Sequence, residues 1–412
     1  MNPEIENQVI REANKEVFVT VRGSRTGKEF TMREYTYGVI SADHDSPLSC
    51  TSVANSSISI DLWKGCAFQC SYCHVQDGLQ DLDKNTMTMP NKPEPRSRFT
   101  ADQVIDSLVE HPFFIPNESV ISIGTASTEP FAAGKVADST FEIMENFTAR
   151  GYKNPFWIVT KAGFPKKYKE QLAAITGHGN QVMISVCWAN NPKEVEPATA
   201  NRFKNLQEAH DSGATISWYL RPLADVWSTD KDRLEQSFKH VSKYSDYIDM
   251  IIPGGLRWTE GIEYGVEEVR GYTLPPIPKD DNIKELSDET WDLLHELSSK
   301  YFPNTPVYHK SSCGLSYMLR TPNSNLVQFR DVSSCKSSTC PDHQRKICEA
   351  HKVPDRDALQ ERLATIGLGG IKVLAVEGNN GQIVSDPPLK SFTFAIRHMI
   401  EMQLAKKSSY ES

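Results

Sequence analysis

No run of apolar residues in this 412-residue sequence approaches the ~18 that a membrane-spanning helix needs, so no span is expected. Positive charge is short. Lys and Arg number 45 against 53 Asp and Glu, a net charge of −8, which removes the electrostatic ground for expecting a nucleic-acid partner. The opening MNPEIENQVIREANKE is polar and acidic and lacks the pattern of a secretory leader, so a cytoplasmic location is expected. There is no repeat of fixed period and no long low-complexity segment. Gly367-Leu-Gly-Gly370 has neither the spacing nor the preceding strand of a dinucleotide fingerprint. The basic run 161–169 reads as the solvated start of a helix.

What is present is an ordinary globular composition, with 39% apolar and 24% charged residues. The length suits one large domain with a smaller companion, or two to three average domains. Nine cysteines are an odd, unevenly spaced set. Without a leader, such a set points to metal or redox chemistry rather than to disulfides.

Residues 1–56 read as a polar extension with weak alternation at 16–21 and 35–40, enough for one hairpin. From Ser57, short β-rich runs alternate with helical patterns. Strands are expected at 57–62, 119–123, 156–160, 181–187, 215–220 and 247–252, each apolar and β-branched or aromatic. Helices are expected between them. Thr100 to Gln103 and Ser139 to Glu142 read as capping boxes, 200–212 ends before a C-capping Gly213, and 230–243 and 166–175 complete the set. This alternation means α/β with a parallel sheet, either a six-unit partial barrel or an open doubly wound sheet. Residues 259–310 read as a proline-broken linker (Pro275, Pro276, Pro278) and a helix at 287–300. Residues 311–412 read as a cysteine-containing subdomain with a helix at 355–365, a hairpin around 377–381 and a last helix.

Immediately after the first strand come Cys66, Cys70 and Cys73, spaced C-x3-C-x2-C. Three thiolates on one turn can converge on one metal centre while leaving it a ligand short, as a catalytic site requires. Soft thiolates select iron–sulfur clusters or zinc.

With Tyr72, these residues resemble the C-x3-C-x-aromatic-C motif of the radical S-adenosylmethionine superfamily. The resemblance implies a partial (β/α)6 TIM-like barrel over residues 57–258. It implies a [4Fe-4S] cluster on Cys66, Cys70 and Cys73, its open iron chelated by S-adenosylmethionine, with Tyr72 near the adenine. Reductive cleavage of that cofactor would give a 5′-deoxyadenosyl radical that abstracts hydrogen from a substrate. A flavodoxin- or ferredoxin-type reductant and sensitivity to oxygen follow. Further strand-end segments resemble spore photoproduct lyase-like members, namely Ile123-Gly-Thr-Ala-Ser-Thr-Glu129, Val159-Thr-Lys161, Ile184-Ser-Val186, Glu196-Pro197 and Arg202. They imply that Ser127, Lys161, Ser185 and Arg202 help hold S-adenosylmethionine. One departure stands out. Thr125 occupies the position of the lyase's hydrogen-donating cysteine, which argues against photoproduct repair.

Cys187 lies two residues beyond Ser185 and shares its strand face, as a hydrogen donor to substrate or as a small buried hydrophobe. Tyr219 and Arg221 end the fifth strand on one face as candidate substrate contacts, Arg221 suiting a carboxylate or phosphate. Cys50 reads as structural. Cys313, Cys335, Cys340 and Cys348 sit in polar sequence and suit an auxiliary [4Fe-4S] cluster or zinc, with His343 and His351 as alternative ligands. The expectation is a radical S-adenosylmethionine enzyme acting on a small or medium metabolite. A nucleic-acid-modifying or repair lyase and a non-catalytic iron–sulfur or zinc protein are the alternatives.

Overall fold

The computed structural model describes residues 17–22, 27–34, 40, 45–54, 56–68, 70–73, 93–125, 127–132, 134–193, 195–196, 202–224, 226–274, 286–323, 340–351, 353–377, 382–392 and 394–405. Pro197, Cys335, residues 35–39, the prolines at 275, 276 and 278 and the hairpin tip at 378–381 lie outside them.

An antiparallel hairpin opens the described chain, β1 (Val17–Arg22) against β2 (Glu29–Glu34). β3 (Thr51–Ala54) then turns back on β4 (Ser57–Ile60). β5 (Trp63–Lys64) and β6 (Glu94–Pro95) pair on either side of the cysteine loop. β7 (Ile121–Ile123), β8 (Phe156–Thr160), β9 (Val182–Cys187), β10 (Thr215–Tyr219) and β11 (Met250–Ile251) follow. The main sheet runs β11-β10-β9-β8-β7-β4-β3, and β4 with β7 to β11 are parallel. All six expected parallel strands are present, so the α/β expectation holds.

Between the strands lie α1 (Ala101–Glu110), α2 (Gly134–Ala149), α3 (Lys169–His178), α4 (Leu206–Asp211) and α5 (Lys231–Val241). A doubly wound sheet reverses its strand order at a switch point. This order never reverses. Right-handed crossovers then set every intervening helix on the same face, and α1 to α4 pack on one another in succession.

Local sequence explains these helices, with two corrections. Thr100 and Gln103 form the expected capping box, each side chain bonded to the other's backbone N–H, at 3.3 and 3.0 Å. Ser139 does not start a helix. α2 begins five residues earlier, and Ser139 is buried inside it. The helix expected over 200–212 shrinks to Leu206–Asp211, because Asn205 sits in the left-handed region at φ 67° and breaks it. Gly213, at φ +85°, closes α4 as expected.

Alternation along the strands sorts side chains between two faces. Ile58, Ile60, Ile121, Ile123, Ile158, Ile184, Ile216 and Trp218 point to the helix layer and form the main core. The intervening residues face the other way. There the polar Ser57, Ser59, Asp61, Ser122, Ser185 and Ser217 are all buried.

Beyond β11 come α6 (Glu260–Tyr264), α7 (Asp288–Tyr301) and α8 (Ser311–Leu319). Tyr308 N–H donates to Ile251 O at 2.8 Å, and Ile251 N–H to Pro306 O at 2.9 Å, so residues 306–308 extend the sheet edge. α8 lies directly on the inner face. A Cβ on Gly314 would come within 2.7 Å of Ile252 Cδ1 and 2.8 Å of Met250 Sδ, so no larger residue fits without movement. The chain closes with α9 (Asp342–Glu349), α10 (Arg356–Thr365), the hairpin β12 (Lys372–Glu377) and β13 (Gln382–Asp386), and α11 (Phe394–Ala405), which packs on β3.

Candidate active site at the cysteine loop

The three-cysteine turn follows β5 at the carboxyl ends of the parallel strands, where α/β folds collect functional groups. Two strand-end segments hold it. Thr128 Oγ1, after β7, donates to Gly65 O at 2.6 Å. Ser71, inside the loop, donates to Val195 O from its N–H at 3.1 Å and from its Oγ at 3.2 Å. Cys73 N–H donates to Cys70 O at 3.0 Å, closing a turn between the second and third cysteines. Burial pushes the Cys66 thiol up to about 11, with Glu129 and Cys73 adding to it. Burial likewise pushes Cys70 up to about 11, opposed by Lys161 and assisted by Glu196 and Cys66.

Lys161, one residue beyond β8, is the hub. Its Nζ donates to Tyr72 Oη at 2.6 Å, to Glu196 Oε1 at 3.2 Å and to Cys187 Sγ at 3.6 Å, and lies 4.7 Å from the Tyr72 ring centre. Arg202 Nη1 donates to Glu196 Oε1 at 2.6 Å and to Cys187 O at 2.7 Å. Glu196 and Arg202 are buried, and Lys161 is largely so. Buried charges persist only when paired this closely. Burial pushes the Glu196 carboxyl up, but the two cations outweigh it and hold it below the usual range. Burial lowers Lys161, but Cys187, Glu196, Tyr72 and Cys70 outweigh it and lift the ammonium well above its ordinary value. Glu196 Oε2 is buried without a hydrogen-bond partner, as is Thr125 Oγ1.

Five residues singled out in the sequence therefore meet in direct contact: Tyr72, Lys161, Cys187, Glu196 and Arg202. The two serines do not join them. Ser127 Oγ donates to Asp61 Oδ1 at 2.8 Å. Ser185 Oγ accepts from Trp157 Nε1 at 3.0 Å and from Ser217 Oγ at 2.7 Å, one row deeper in the sheet. Tyr219 lies opposite Cys187 in register. Its Oη bonds Ser311 Oγ at 2.7 Å and accepts from Arg221 Nη1 at 3.2 Å. Arg221 also reaches Pro253 O from Nε and Nη2. Cys187 Sγ donates to Arg221 O at 3.1 Å, which links this pair to the hub. Burial raises the Cys187 thiol, against the pull of Lys161.

Sequence reasoning passed over three contributors. Asp61 is buried and accepts from both Ser59 and Ser127; its two-residue spacing from Ser59 on an alternating strand was the available signal. Glu129 is buried, accepts from Thr160 Oγ1, and takes the Lys161 N–H at 2.7 Å, fixing the hub's backbone. Trp227, Trp258 and Tyr272 cluster with Phe68, Cys70 and Tyr72 to wall the cysteine loop. No local pattern announces that wall, because its members are spread over 205 positions of chain, from 68 to 272.

Elsewhere, Cys50 is buried and bonds Ser97 Oγ at 3.1 Å. Cys313, Cys340 and Cys348 are half-buried, the first two packed in the cluster that holds Tyr308, and His343 lies tilted against Tyr317 at 5.3 Å. Among the described residues no three His, Cys, Asp or Glu side chains converge as ligands of a single ion do. No described helix is long and apolar enough to cross a membrane.

No family profile and no curated protein matches the chain. Among solved structures it is similar to Streptococcus suis SuiB bound to S-adenosylmethionine. That match has 12% identity and a TM-score of 0.35, covering 62% of this chain and 52% of that one. The chain thus spans about half the length of that structure, and a likeness this weak does not establish a shared fold.

Proposed function

We propose that this chain is a radical S-adenosylmethionine enzyme built on a partial (β/α)6 barrel over residues 57–258, with the linker 259–310 and a C-terminal subdomain at 311–412. The observation that carries this reading is the contact set around Lys161. It ties Tyr72 of a three-cysteine turn to the ends of β8 and β9 and to a buried Glu196–Arg202 pair. The unreversed order of six parallel strands supports the barrel.

The donor set fits an iron–sulfur cluster. Cys66 lies near enough to both Cys70 and Cys73 for electrostatic coupling, and Cys66 and Cys70 are held protonated by burial and by like charge. A cation among them reverses that balance, as metal coordination does for thiols generally. Cys66, Cys70 and Cys73 would hold a [4Fe-4S] cluster. When bound, it supplies an electron to S-adenosylmethionine at an open iron, and cleavage of that cofactor gives the radical that takes hydrogen from substrate.

The chain's own residues bind, orient and exclude water. Lys161 Nζ suits the cofactor's carboxylate, and the unpartnered Glu196 Oε2 is an acceptor suited to its ammonium. Tyr72 and Arg202 brace that pair; Ser127 and Ser185 shape the floor from their own hydrogen bonds. The wall of Trp227, Trp258 and Tyr272 keeps water from the cysteine loop. Cys187, Tyr219 and Arg221 face the substrate. Arg221 suits an anionic group on a small or medium metabolite, and Cys187 is placed to return a hydrogen atom. A flavodoxin- or ferredoxin-type protein is the matching reductant.

The test is binding. Anaerobically reconstituted, reduced protein should show an iron–sulfur paramagnetic signal that shifts on adding S-adenosylmethionine. Lys161→Ala should weaken that titration by about tenfold or more. A signal indifferent to saturating S-adenosylmethionine sinks the reading.

A further inference from the structure

The cations at the carboxyl ends of the strands are used in two ways. Lys161 and Arg202 share one carboxylate, Glu196. Arg221, two residues beyond β10, is half-buried, and its hydrogen-bond partners among the described residues are all neutral. Nε and Nη2 both donate to Pro253 O, at 3.3 and 3.1 Å, and Nη1 donates to Tyr219 Oη at 3.2 Å. The guanidinium carbon lies 4.5 Å from the Tyr219 ring centre. A guanidinium has five N–H donors. Three are met here, which leaves one on Nη1 and one on Nη2 to spare.

The guanidinium has a shaped seat. A Cβ on Gly254 would lie 2.3 Å from Arg221 Nε and 2.6 Å from its Cζ, so the side chain rests directly on the bare glycine backbone. Gly254 is itself fixed, its N–H donating to Leu220 O at 3.2 Å and its carbonyl taking the Leu223 N–H at 2.9 Å. Beside the guanidinium, Tyr219 Oη and Ser311 Oγ, the latter at the start of α8, lie 2.7 Å apart. The two hydroxyls carry two hydrogens, and the bond between them uses one. Whichever way that bond runs, one O–H is left over. Among the described residues the place therefore offers three spare donors, two N–H and one O–H, and no acidic side chain bonded to them.

We propose that Arg221, with the Tyr219–Ser311 hydroxyl pair, is the anchor for a carboxylate, and that the substrate is a carboxylic acid held by that group. One hydrogen from each Nη matches the two oxygens of a carboxylate, and the spare hydroxyl adds a third bond. One guanidinium balances one negative charge, whereas a phosphate monoester brings about 1.5 to 2. Lys161 is already engaged with Glu196 and supplies no second cation. The anchor adjoins the hub. Tyr219 lies opposite Cys187 in register, and the Cys187 thiol donates to Arg221 O at 3.1 Å and takes Lys161 Nζ at 3.6 Å. That the bound acid is the substrate rests on the proposed radical chemistry; the carboxylate site rests on its own contacts.

Binding is measured on the full chain stripped of metal with a chelator, so the outcome does not depend on cluster formation or on cleavage of S-adenosylmethionine. The probe is carbon-13 acetate, titrated at constant ionic strength and read by its nuclear magnetic resonance line width. The parent should bind it with a Kd of about 1–10 mM. Arg221→Gln should weaken binding about tenfold or more. Gly254→Ala, which keeps the charge but drives the guanidinium off its seat, should weaken it about fivefold, and Ser311→Ala about threefold with recovery in Ser311→Thr. Without any substitution, acetate should slow the modification of Arg221 by phenylglyoxal, mapped by peptide mass, where equal chloride does not. Acetate binding that is absent in the parent or unchanged in Arg221→Gln overturns the proposal, as does a lack of protection. Inorganic phosphate bound more tightly than acetate overturns the carboxylate assignment. A chain that binds acetate here but never cleaves S-adenosylmethionine fails the proposed function and keeps this site; the reverse result fails this site alone.

Discussion

The same strands present two unlike faces. Toward the helices, β4 and β7 to β11 show isoleucine, phenylalanine, valine and tryptophan, buried in one apolar cluster in which the Trp218 Nε1–H is met by Trp188 O at 3.0 Å. Away from them, the alternate positions mix Val120, Trp157, Met183, Met250 and Ile252 with serine, aspartate, lysine, cysteine and tyrosine, the polar groups bonded to one another. Apolar area alone stabilises the first face, by roughly 25 cal/mol for each Å² withdrawn from water. The second has apolar area too, but its polar groups are held by pairing, because a buried polar group left unmet costs about 1–3 kcal/mol.

Breaking the apolar face should have the largest effect. Trp218 is fully buried on β10, with Phe238 at 4.9 Å and Phe302 at 5.7 Å. Trp218→Ala should cost about 3–5 kcal/mol in chemical denaturation. Glu196→Ala breaks the other face, leaving Lys161 and Arg202 buried without their shared carboxylate. The expected loss is about 3 kcal/mol, and Glu196→Ala with Arg202→Met should recover part of it. A Glu196→Ala chain as stable as the parent contradicts the pairing account of this face.

The helix layer also buries an ionisable ring, and it sharpens the contrast. Burial lowers His111 from its ordinary 6.5 to about 4, and its Nδ1 accepts the Phe113 N–H at 3.1 Å. The unfolded chain takes up that proton first as pH falls. The stabilisation is whole above pH 6.5 and lost progressively down to about 4, near 2 kcal/mol by about pH 5. Urea midpoints at neutral pH and near pH 5 should differ accordingly, and His111→Asn should flatten the difference. The apolar layer thus tolerates an ionisable group only when neutral, whereas the inner face holds charges by pairing them. The smallest effect belongs to Ser217→Ala, which removes one inner-face hydrogen bond to Ser185 at 2.7 Å and should cost about 1 kcal/mol.

This two-faced pattern made much of the fold legible in the sequence. Runs such as Ser57-Ile-Ser-Ile60 alternate strictly and announce a strand with unlike faces. The unreversed strand order was not legible, because periodicity says nothing about which strands pair. Ser139 misled because a serine three residues before a glutamate fits a helix interior as well as a start. Within the candidate site, Lys161, Tyr72 and Arg202 stood out by spacing and resemblance, and they do meet. Asp61, Glu129 and the Trp227–Trp258–Tyr272 wall did not stand out, since their roles come from partners distant in sequence.

The most direct test of the central claim is product analysis after anaerobic reconstitution, reduction and addition of S-adenosylmethionine. The intact chain should form 5′-deoxyadenosine, and Cys70→Ala, still folded by circular dichroism, should form none. An iron-loaded, reduced chain that leaves S-adenosylmethionine intact, or a Cys70→Ala chain that cleaves it equally well, contradicts the claim.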